Sequence, residues 1–379
     1  MSQPDVVIVG GGVIGLSVAY VLAREGVSTT VLDRGELGRA ASWAGAGLIS
    51  PGGERPPSNP LVALRVRSAE LFPRWADALR EATGIDTGYR RSGGVDVAWT
   101  AEEDQALRTA AGRWREEGIA YERLEPREFQ RVEPALNPDV RVAYFLPDRA
   151  QVRNPWHLRA LIAALKQDGA RLCPGLAAEG FEVREGVVSG VRTAEGVVRG
   201  DRFVVAAGPW SEAILGTIGV RVATPPVKGQ IVLLRGDRPI LRRIVEHGKN
   251  YLVPRDDGHV LVGATEEDAG FDTRTTSSAV RDLIDEALRL CPALAHVEVE
   301  RAWAGLRPGS FDSRPFLGIA PGYSNLIVAT GHRRAGLQLS PGTAEVVADL
   351  VLERPPRIDL APFRLDRPPA WGDETAFRS

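Results

Sequence analysis

Near its start the chain runs Asp5-Val6-Val7-Ile8-Val9-Gly10-Gly11-Gly12-Val13-Ile14-Gly15-Leu16, and the unit this opens closes at Thr29-Thr30-Val31-Leu32-Asp33. Val6 to Val9 is a continuous apolar run, the pattern of a strand buried on both faces of a parallel sheet. Leu16, Ala19, Tyr20 and Ala23 recur at helical spacing before Gly26, which predicts a helix over residues 13–25. Thr29 to Leu32 reads as a second buried strand. A G-x-G-x-x-G thus falls between a strand and a helix, and each glycine has a mechanical role. Gly10 makes the tight turn, Gly12 lets a pyrophosphate approach the backbone, and Gly15 lets the helix pack closely on the strand. The helix N-terminus offers unpaired N–H groups and a positive dipole end to the phosphates. Asp33 follows Gly15 by eighteen residues, close to the roughly 20 expected of an acid that accepts the ribose hydroxyls of an adenosine. The bland alternative is a glycine-rich turn in an ordinary βαβ unit, but strand, helix, second strand and acid together point to a dinucleotide. NAD and FAD both satisfy the unit; its position at residue 5, with no catalytic domain before it, favours FAD as a permanent cofactor.

Outside that unit, composition sets broad limits. The 379 residues carry 47 Lys+Arg against 49 Asp+Glu, a net charge of −2, which argues against nucleic-acid binding by bulk charge. Hydrophobic residues at 44% and charged residues at 25% are ordinary for a globular protein. The length exceeds the roughly 250–300 residues one core usually fills, so two lobes around a cleft are expected. Cys173 and Cys291 form no C-x-x-C pair, which speaks against a disulfide framework or thiolate zinc site and fits a reducing cytoplasm. No apolar run approaches the roughly 18–20 residues of a membrane span, and no signal peptide opens the chain. The 41 glycines and 27 prolines are unperiodic and predict many turns.

Further along, Arg39 to Leu48 is a run of small residues that would let backbone amides approach a flat ligand. Residues 51–59 read as a loop and Leu61 to Thr83 as a long helix, with Trp75 in the core. Residues 102–117 read as a helix with a solvated charged face. Asn154-Pro155 predicts a capped helix start, and Arg202 to Trp210 a buried strand turning at Gly208, where a nucleotide-binding sheet would regain a strand and where Ala207 and Gly208 are candidate cofactor contacts. Residues 220–234 and 251–265 read as antiparallel strands of a second lobe. Residues 280–290 read as a helix, residues 326–331 as another strand ending in glycine, and Pro341 to Leu352 as a final helix. No metal-ligand spacing and no Ser/His/Asp set presents itself.

Several segments, taken in order, resemble the glycine oxidase and D-amino acid oxidase family of FAD-dependent oxidoreductases, and within it most closely the glycine oxidases of the thiamine-biosynthesis type. They are the Gly10-to-Gly15 fingerprint with Asp33, Ser42-Trp43-Ala44-Gly45-Ala46-Gly47, Pro226-Val227-Lys228-Gly229-Gln230, Tyr251-Leu252-Val253-Pro254-Arg255, Val262-Gly263-Ala264-Thr265, Trp303-Ala304-Gly305-Leu306-Arg307-Pro308-Gly309, and Ala329-Thr330-Gly331-His332-Arg333-Arg334-Ala335-Gly336. The resemblance spans nearly the whole chain. It implies an α/β fold with a Rossmann-like FAD-binding lobe of the glutathione-reductase type and a smaller α+β substrate lobe containing an antiparallel sheet. The first lobe is expected from residues 1–85, 145–220 and 310–379, the second from 86–144 and 221–309. It further implies that Arg307 binds the substrate carboxylate, that Arg334 is a second arginine near flavin and substrate, and that Tyr251 lines the substrate side. Val13, Ile14, Asp33, Arg34, Ala41, Ser42, Ala46, Gly47, Leu48 and, by a looser match, Ala178 are implied FAD contacts, as are His332, Arg333, Arg334, Ala335, Gly336, Leu337 and Gln338. The sequence departs from the family at Lys249, Glu266 and Arg333, which alters the expected charge around the pocket.

An amino acid carboxylate needs a fixed cation, and the planar fork of arginine meets it in a way lysine cannot. Against this, Arg307 could be a surface arginine or pair with Asp312, and Tyr251 could be a buried strand residue with a satisfied hydroxyl. His332 could serve as a base; the simpler expectation is that it shapes the turn over the flavin. The expected activity is oxidation of glycine, sarcosine or a small D-amino acid by hydride transfer to flavin N5. The imine would hydrolyse to an oxo acid and ammonia or amine, with O2 reduced to H2O2. FAD is expected to be non-covalent, since neither cysteine stands near the C-terminal flavin segment. A D-amino acid dehydrogenase with a quinone acceptor, a non-catalytic FAD-binding protein and an NAD-dependent dehydrogenase are the rivals. A homotetramer is what the glycine oxidase resemblance implies.

Overall fold

In the computed structural model, which describes residues 5–368, the chain is an α/β protein built on two large sheets. The ends of the predicted first lobe, residues 1–4 and 369–379, lie outside the described residues. The first strand, β1 (Val6–Val9), is followed by helix α1 (Val13–Arg24) and strand β2 (Thr29–Asp33), as the spacing predicts. β1 pairs in parallel with β2 on one side and with strand Arg202–Val205 on the other. The six-stranded sheet continues outward through Arg171–Pro174 beyond β2, and through Leu326–Thr330 to the antiparallel edge strand Phe316–Ile319. Val6 and Ile8 pack with α1, helix Pro60–Thr83, helix Asn154–Gln167 and helix Gly336–Val351. Val7 and Val9 face the opposite way, toward Phe181, Val188 and Val191 of a three-stranded antiparallel meander. Burial on both faces is why β1 has no polar alternation. The carboxyl ends of β1, β2 and their parallel neighbours open onto a crevice, the place where sheets of this kind take ligands.

The second sheet has eight strands, in the order Glu298–Pro308, Pro226–Arg235, His259–Gly263, Asn250–Pro254, Ile244–His247, Gly94–Ala98, Val142–Leu146 and Glu122–Leu124. All neighbours are antiparallel except Ile244–His247 against Gly94–Ala98. One face buries Val95, Val232, Val245, Leu252 and Val262 with Leu283, Ala287 and Leu290 of helix Ser277–Leu290. The other face carries Ile231, Leu233, Tyr251 and Val253 and packs on Ala46 of the small-residue run. Strands of the six-stranded sheet come from residues 6–33, 171–205 and 316–330, and those of the eight-stranded sheet from 94–146 and 226–308, so the chain passes back and forth between them.

Three local expectations need correction. Asn154 does not cap its helix: it is the first helical residue, and its Nδ2 instead donates to Ser42 O at 2.7 Å. The final helix begins at Gly336, five residues before Pro341, which lies inside it. The carbonyl of Leu337, which would have received the N–H that proline lacks, accepts from the Ser340 hydroxyl at 2.9 Å. The small-residue run also contains a short helix, Ala41–Ala44. Trp75 is buried in the core as expected, while helix Ala101–Glu117, read as a solvated face, buries Trp114 and Asp104.

Candidate active site

The glycine turn at the head of α1 is fixed by two side chains. Asp33 accepts Gly11 N on Oδ2 and Gly35 N on Oδ1, each at 2.8 Å, while Ser42 Oγ accepts Val13 N at 2.9 Å. Burial raises the pKa of the Asp33 carboxyl, though the two backbone donors oppose the shift. Each carboxylate oxygen retains accepting capacity for a further hydroxyl. A Cβ on Gly12 would meet only Ser42 Oγ, at 3.2 Å, so the space over this residue is open to a ligand. Gly15 is different. A Cβ there would stand 1.9 Å from Gly10 O, and the residue does not line the cavity; it keeps α1 close to β1.

The crevice above this turn is a cavity of about 940 Å³, at the upper end of the usual range for small-molecule sites. Asp33, Arg34 and Ala178 wall one end. Gly10, Gly12, Val13 and Ile14 form the floor, flanked by Ala41, Ser42, Ala46, Gly47 and Leu48 and by Ala207 and Gly208. His332, Arg333, Arg334, Ala335, Gly336, Leu337 and Gln338 close the far side with Tyr251 and Arg307. Of the site residues expected from sequence, Gly15 alone is absent from these walls. FAD fits what is present. The head of α1 lacks a side-chain cap for its remaining N–H donors, and Asn154 Oδ1, buried in the wall, has no hydrogen-bond partner among the described residues. Cys173 and Cys291 do not line the cavity.

At the substrate end, Arg307 projects from strand Glu298–Pro308 over Gly229, where a Cβ would come within 2.3 Å of the guanidinium. Tyr251 lies over its cross-strand partner Gly263, where a Cβ would approach the ring at 2.4 Å. These two mid-strand glycines are therefore the space into which the two side chains fold. Nη1 of Arg307 donates to Thr265 O at 3.1 Å and Lys228 O at 3.4 Å. Among the described residues it makes no ion pair, and Asp312 is instead paired with Arg367 at 2.8 Å. Burial lowers the Arg307 pKa and raises that of Tyr251; the nearby Arg307 and Arg334 charges oppose the tyrosine shift, and its phenol remains a hydrogen-bond donor.

Arg334 rests on Lys249 O at 3.4 Å. Of the three residues at which the sequence departs from the family, Arg333 and Glu266 pair with each other. Arg333 reaches Glu266 at 2.6 Å, bridging the loop after strand His259–Gly263 to the turn after strand Leu326–Thr330. Burial alone would raise the Glu266 carboxyl, but Arg333, with Arg334 and Arg307 in support, holds the group below its ordinary value. Lys249 is exposed in a turn and lies off the cavity. His332 is buried, with Nε2 3.1 Å from Thr343 Oγ1, and burial pushes its pKa down to about 3, so the ring is neutral and ties the turn to the last helix.

Sequence reasoning missed a buried charge cluster in the same wall. Arg149 is 1% exposed and pairs with Asp96 and, at 3.0 Å, with Glu246. Arg149 and Glu246 both line the cavity. The available signal was a lone acid inside an apolar strand, twice: Asp96 in Gly94-Val95-Asp96-Val97-Ala98 and Glu246 in Ile244-Val245-Glu246. Among the described residues, no group of three or more His, Cys, Asp or Glu could hold a metal ion, and no helix is long and apolar enough to cross a membrane.

Comparison with known proteins agrees with this geometry. Residues 5–350 match the model of the family described as DAO, FAD dependent oxidoreductase. The chain is 38% identical over 361 residues to a glycine oxidase of Pseudomonas aeruginosa, with 94% of this chain and 97% of that one covered. It is 36% identical over 368 residues to a glycine oxidase of Pseudomonas putida, covering 95% and 97%. The crystal structure of glycine oxidase from Geobacillus kaustophilus superimposes with a TM-score of 0.91 at 35% identity, covering 97% of this chain and 100% of that one. With the glycine turn, the cavity and the family model in agreement over nearly its whole length, the chain belongs to the DAO family of FAD-dependent oxidoreductases.

Proposed function

We propose that the protein oxidises a small amino acid, with glycine, sarcosine and small D-amino acids as the substrate class and O2 as the electron acceptor. The observation that carries this is Arg307, a cation in the cavity wall held by backbone carbonyls and making no ion pair among the described residues, since the nearby Glu266 is paired with Arg333. A substrate carboxylate supplies the missing anion through a two-pronged, charge-assisted contact. Tyr251, across the same wall, donates its hydroxyl to that carboxylate, and Arg334 adds a second positive charge on the solvent side. With the carboxylate fixed, the substrate keeps little freedom except the one orientation in which its Cα–H faces the ring side of the cavity.

The residues that would hold FAD are Asp33 at the ribose, the head of α1 at the pyrophosphate, and the 41–48 and 332–338 segments along the ring. FAD, when bound, supplies the two-electron acceptor. His332, neutral and bonded to Thr343, acts by fixing the 332–338 turn and moves no proton. The imine product hydrolyses to an oxo acid and ammonia or amine.

The test is a panel of glycine, sarcosine, N-ethylglycine and both enantiomers of alanine and proline, with peroxide and the flavin spectrum recorded together. Peroxide from any of these supports the proposal. Flavin reduced without air that stays reduced on aeration removes O2 as acceptor, and a spectrum unmoved by every member removes the amino acid reading.

A further inference from the structure

Arg307 accounts for the carboxylate of an amino acid; the ammonium needs an anion. Glu246 stands directly opposite Tyr251 in the antiparallel register and directly beside Asp96 in the parallel one, so the three side chains share the cavity face of the sheet. Opposed residues of this kind have Cβ atoms about 5 Å apart. Behind them Arg149 is fully enclosed, and a Cβ on Gly94 would come within 2.5 Å of its side chain. The groups facing Glu246 are therefore Arg149, Asp96, Tyr251 and Arg334. Asp96 is 3% exposed and the Glu246 side chain 17% exposed.

In direct contact, two carboxylates share the one guanidinium of Arg149; Arg334 acts on Glu246 only at longer range. A buried pair that balances is tolerable; a buried surplus of one negative charge is costly unless a proton or a cation relieves it. The surplus lies on the Glu246 side, since Asp96 takes two contacts from Arg149 and Glu246 takes one. The Nε of Arg149 is buried in this same wall with no hydrogen-bond partner, so the cluster is not closed on itself.

We infer that Glu246 is the receptor for the substrate ammonium: it binds that group and then takes one of its protons. This rests on the amino acid reading above and deepens it. In the step, one N–H bond of the ammonium breaks, its proton passes to a Glu246 carboxylate oxygen, and the electron pair stays on nitrogen. That pair forms the C=N bond as the Cα–H bond breaks and its two electrons leave with hydrogen toward the flavin ring. Burial pushes the Glu246 carboxyl up to about 7 against the opposing Arg149 charge, which suits a group that exchanges a proton near neutrality.

The test uses the FAD-loaded protein and two ligands that cannot be oxidised because they lack a Cα–H: 2-aminoisobutyrate, and 2-hydroxyisobutyrate, in which a hydroxyl replaces the ammonium. Binding is read from the perturbation of the visible flavin spectrum. Glu246→Gln should weaken the amino ligand by roughly tenfold or more while moving the hydroxy ligand by less than about threefold, and Glu246→Asp should recover part of the loss. The rate of anaerobic flavin bleaching in the native protein should rise as Glu246 deprotonates near pH 7, and that limb should vanish in Glu246→Gln. The Gln variant should melt no lower than the native protein, because Arg149 and Asp96 then balance one to one. Equal weakening of both ligands together with a lowered melting temperature makes Glu246 a structural anchor and overturns the inference. An unchanged ratio of affinities in Glu246→Gln overturns it alone. A native protein whose spectrum responds to neither ligand overturns the amino acid reading and this inference with it.

Discussion

Arg307 and Gly12 illustrate how single residues can be tested apart from the fold. Among the described residues Arg307 hydrogen-bonds only to carbonyls, so Arg307→Ala should leave the protein folded and yellow while kcat/KM falls by about ten- to a hundredfold, the range for losing hydrogen bonds to a charged group. Steady-state kinetics with a flavin-to-protein ratio settles the point; unchanged kinetics would remove Arg307 from the site. Gly12→Val adds bulk where the chain leaves room and a pyrophosphate would lie. It should give folded, colourless protein with a near-native far-ultraviolet spectrum. Gly15→Val places the same bulk against Gly10 O, and should cost the fold itself, read as loss of soluble protein. The two glycines are alike in the motif, and their separate roles were legible because strand, turn and helix are adjacent in sequence. Glu246 was not legible. Its significance depends on Asp96 and Arg149, which lie far away along the chain and meet only through the register of the eight-stranded sheet.

At the level of elements, His247 joins two helices across a strand end. Its Nδ1 is 2.6 Å from Glu286 of helix Ser277–Leu290, and its Nε2 is 3.1 Å from Glu103 of helix Ala101–Glu117. The Glu286 contact, with Glu103 in support, raises the imidazole pKa above its ordinary value against the pull of burial. The folded state therefore binds the proton more tightly than the unfolded one. The resulting stability is present in full below the unfolded value of roughly 6.5 and fades as pH rises through the folded one. His247→Gln should narrow its stability deficit against the native protein between pH 6 and pH 8.5, measured by thermal melts of both; a deficit independent of pH would contradict the shift. The helices themselves were readable from periodicity and stop signals. Their starts were harder. Pro341 looked like a first-turn proline because sequence does not reveal that Ser340 satisfies the carbonyl left by its missing N–H. Asn154 looked like a cap because nothing local shows Ser42 O within its reach.

For the molecule as a whole, polar ties add to the apolar packing that seats the eight-stranded sheet on the small-residue run of the cavity wall. Arg255, buried at the end of strand Asn250–Pro254, donates to Ala46 O at 2.7 Å and to Val152 O at 3.2 Å, and also reaches Gln151. Trp303 Nε1 donates to Ala44 O at 3.0 Å. Arg255→Met should cost about 3 kcal/mol of stability, since it leaves two buried carbonyls without a donor. It should also loosen FAD, because Ala46 belongs to the cavity wall; denaturant melts of the apoprotein and flavin retention on dilution check both effects. The crossing of the chain between two sheets was foreseeable from strand-and-glycine patterns recurring at residues 202–208 and 326–331. Which residues carry the docking was not, because Arg255 looks like any arginine after a proline. The order of the six-stranded sheet also bears on how the protein is made. β1 obtains one of its neighbours only when residues 202–205 arrive, and that neighbour obtains its own only from residues 326–330. Loop-closure entropy must be spent before such distant pairings return any stability. A chain emerging from the ribosome can thus form the βαβ unit early, yet has no complete cavity until residues 332–338 are out. Uptake of flavin should trail the burial of Trp75 in a refolding experiment, so that colour marks the moment at which synthesis has become an enzyme.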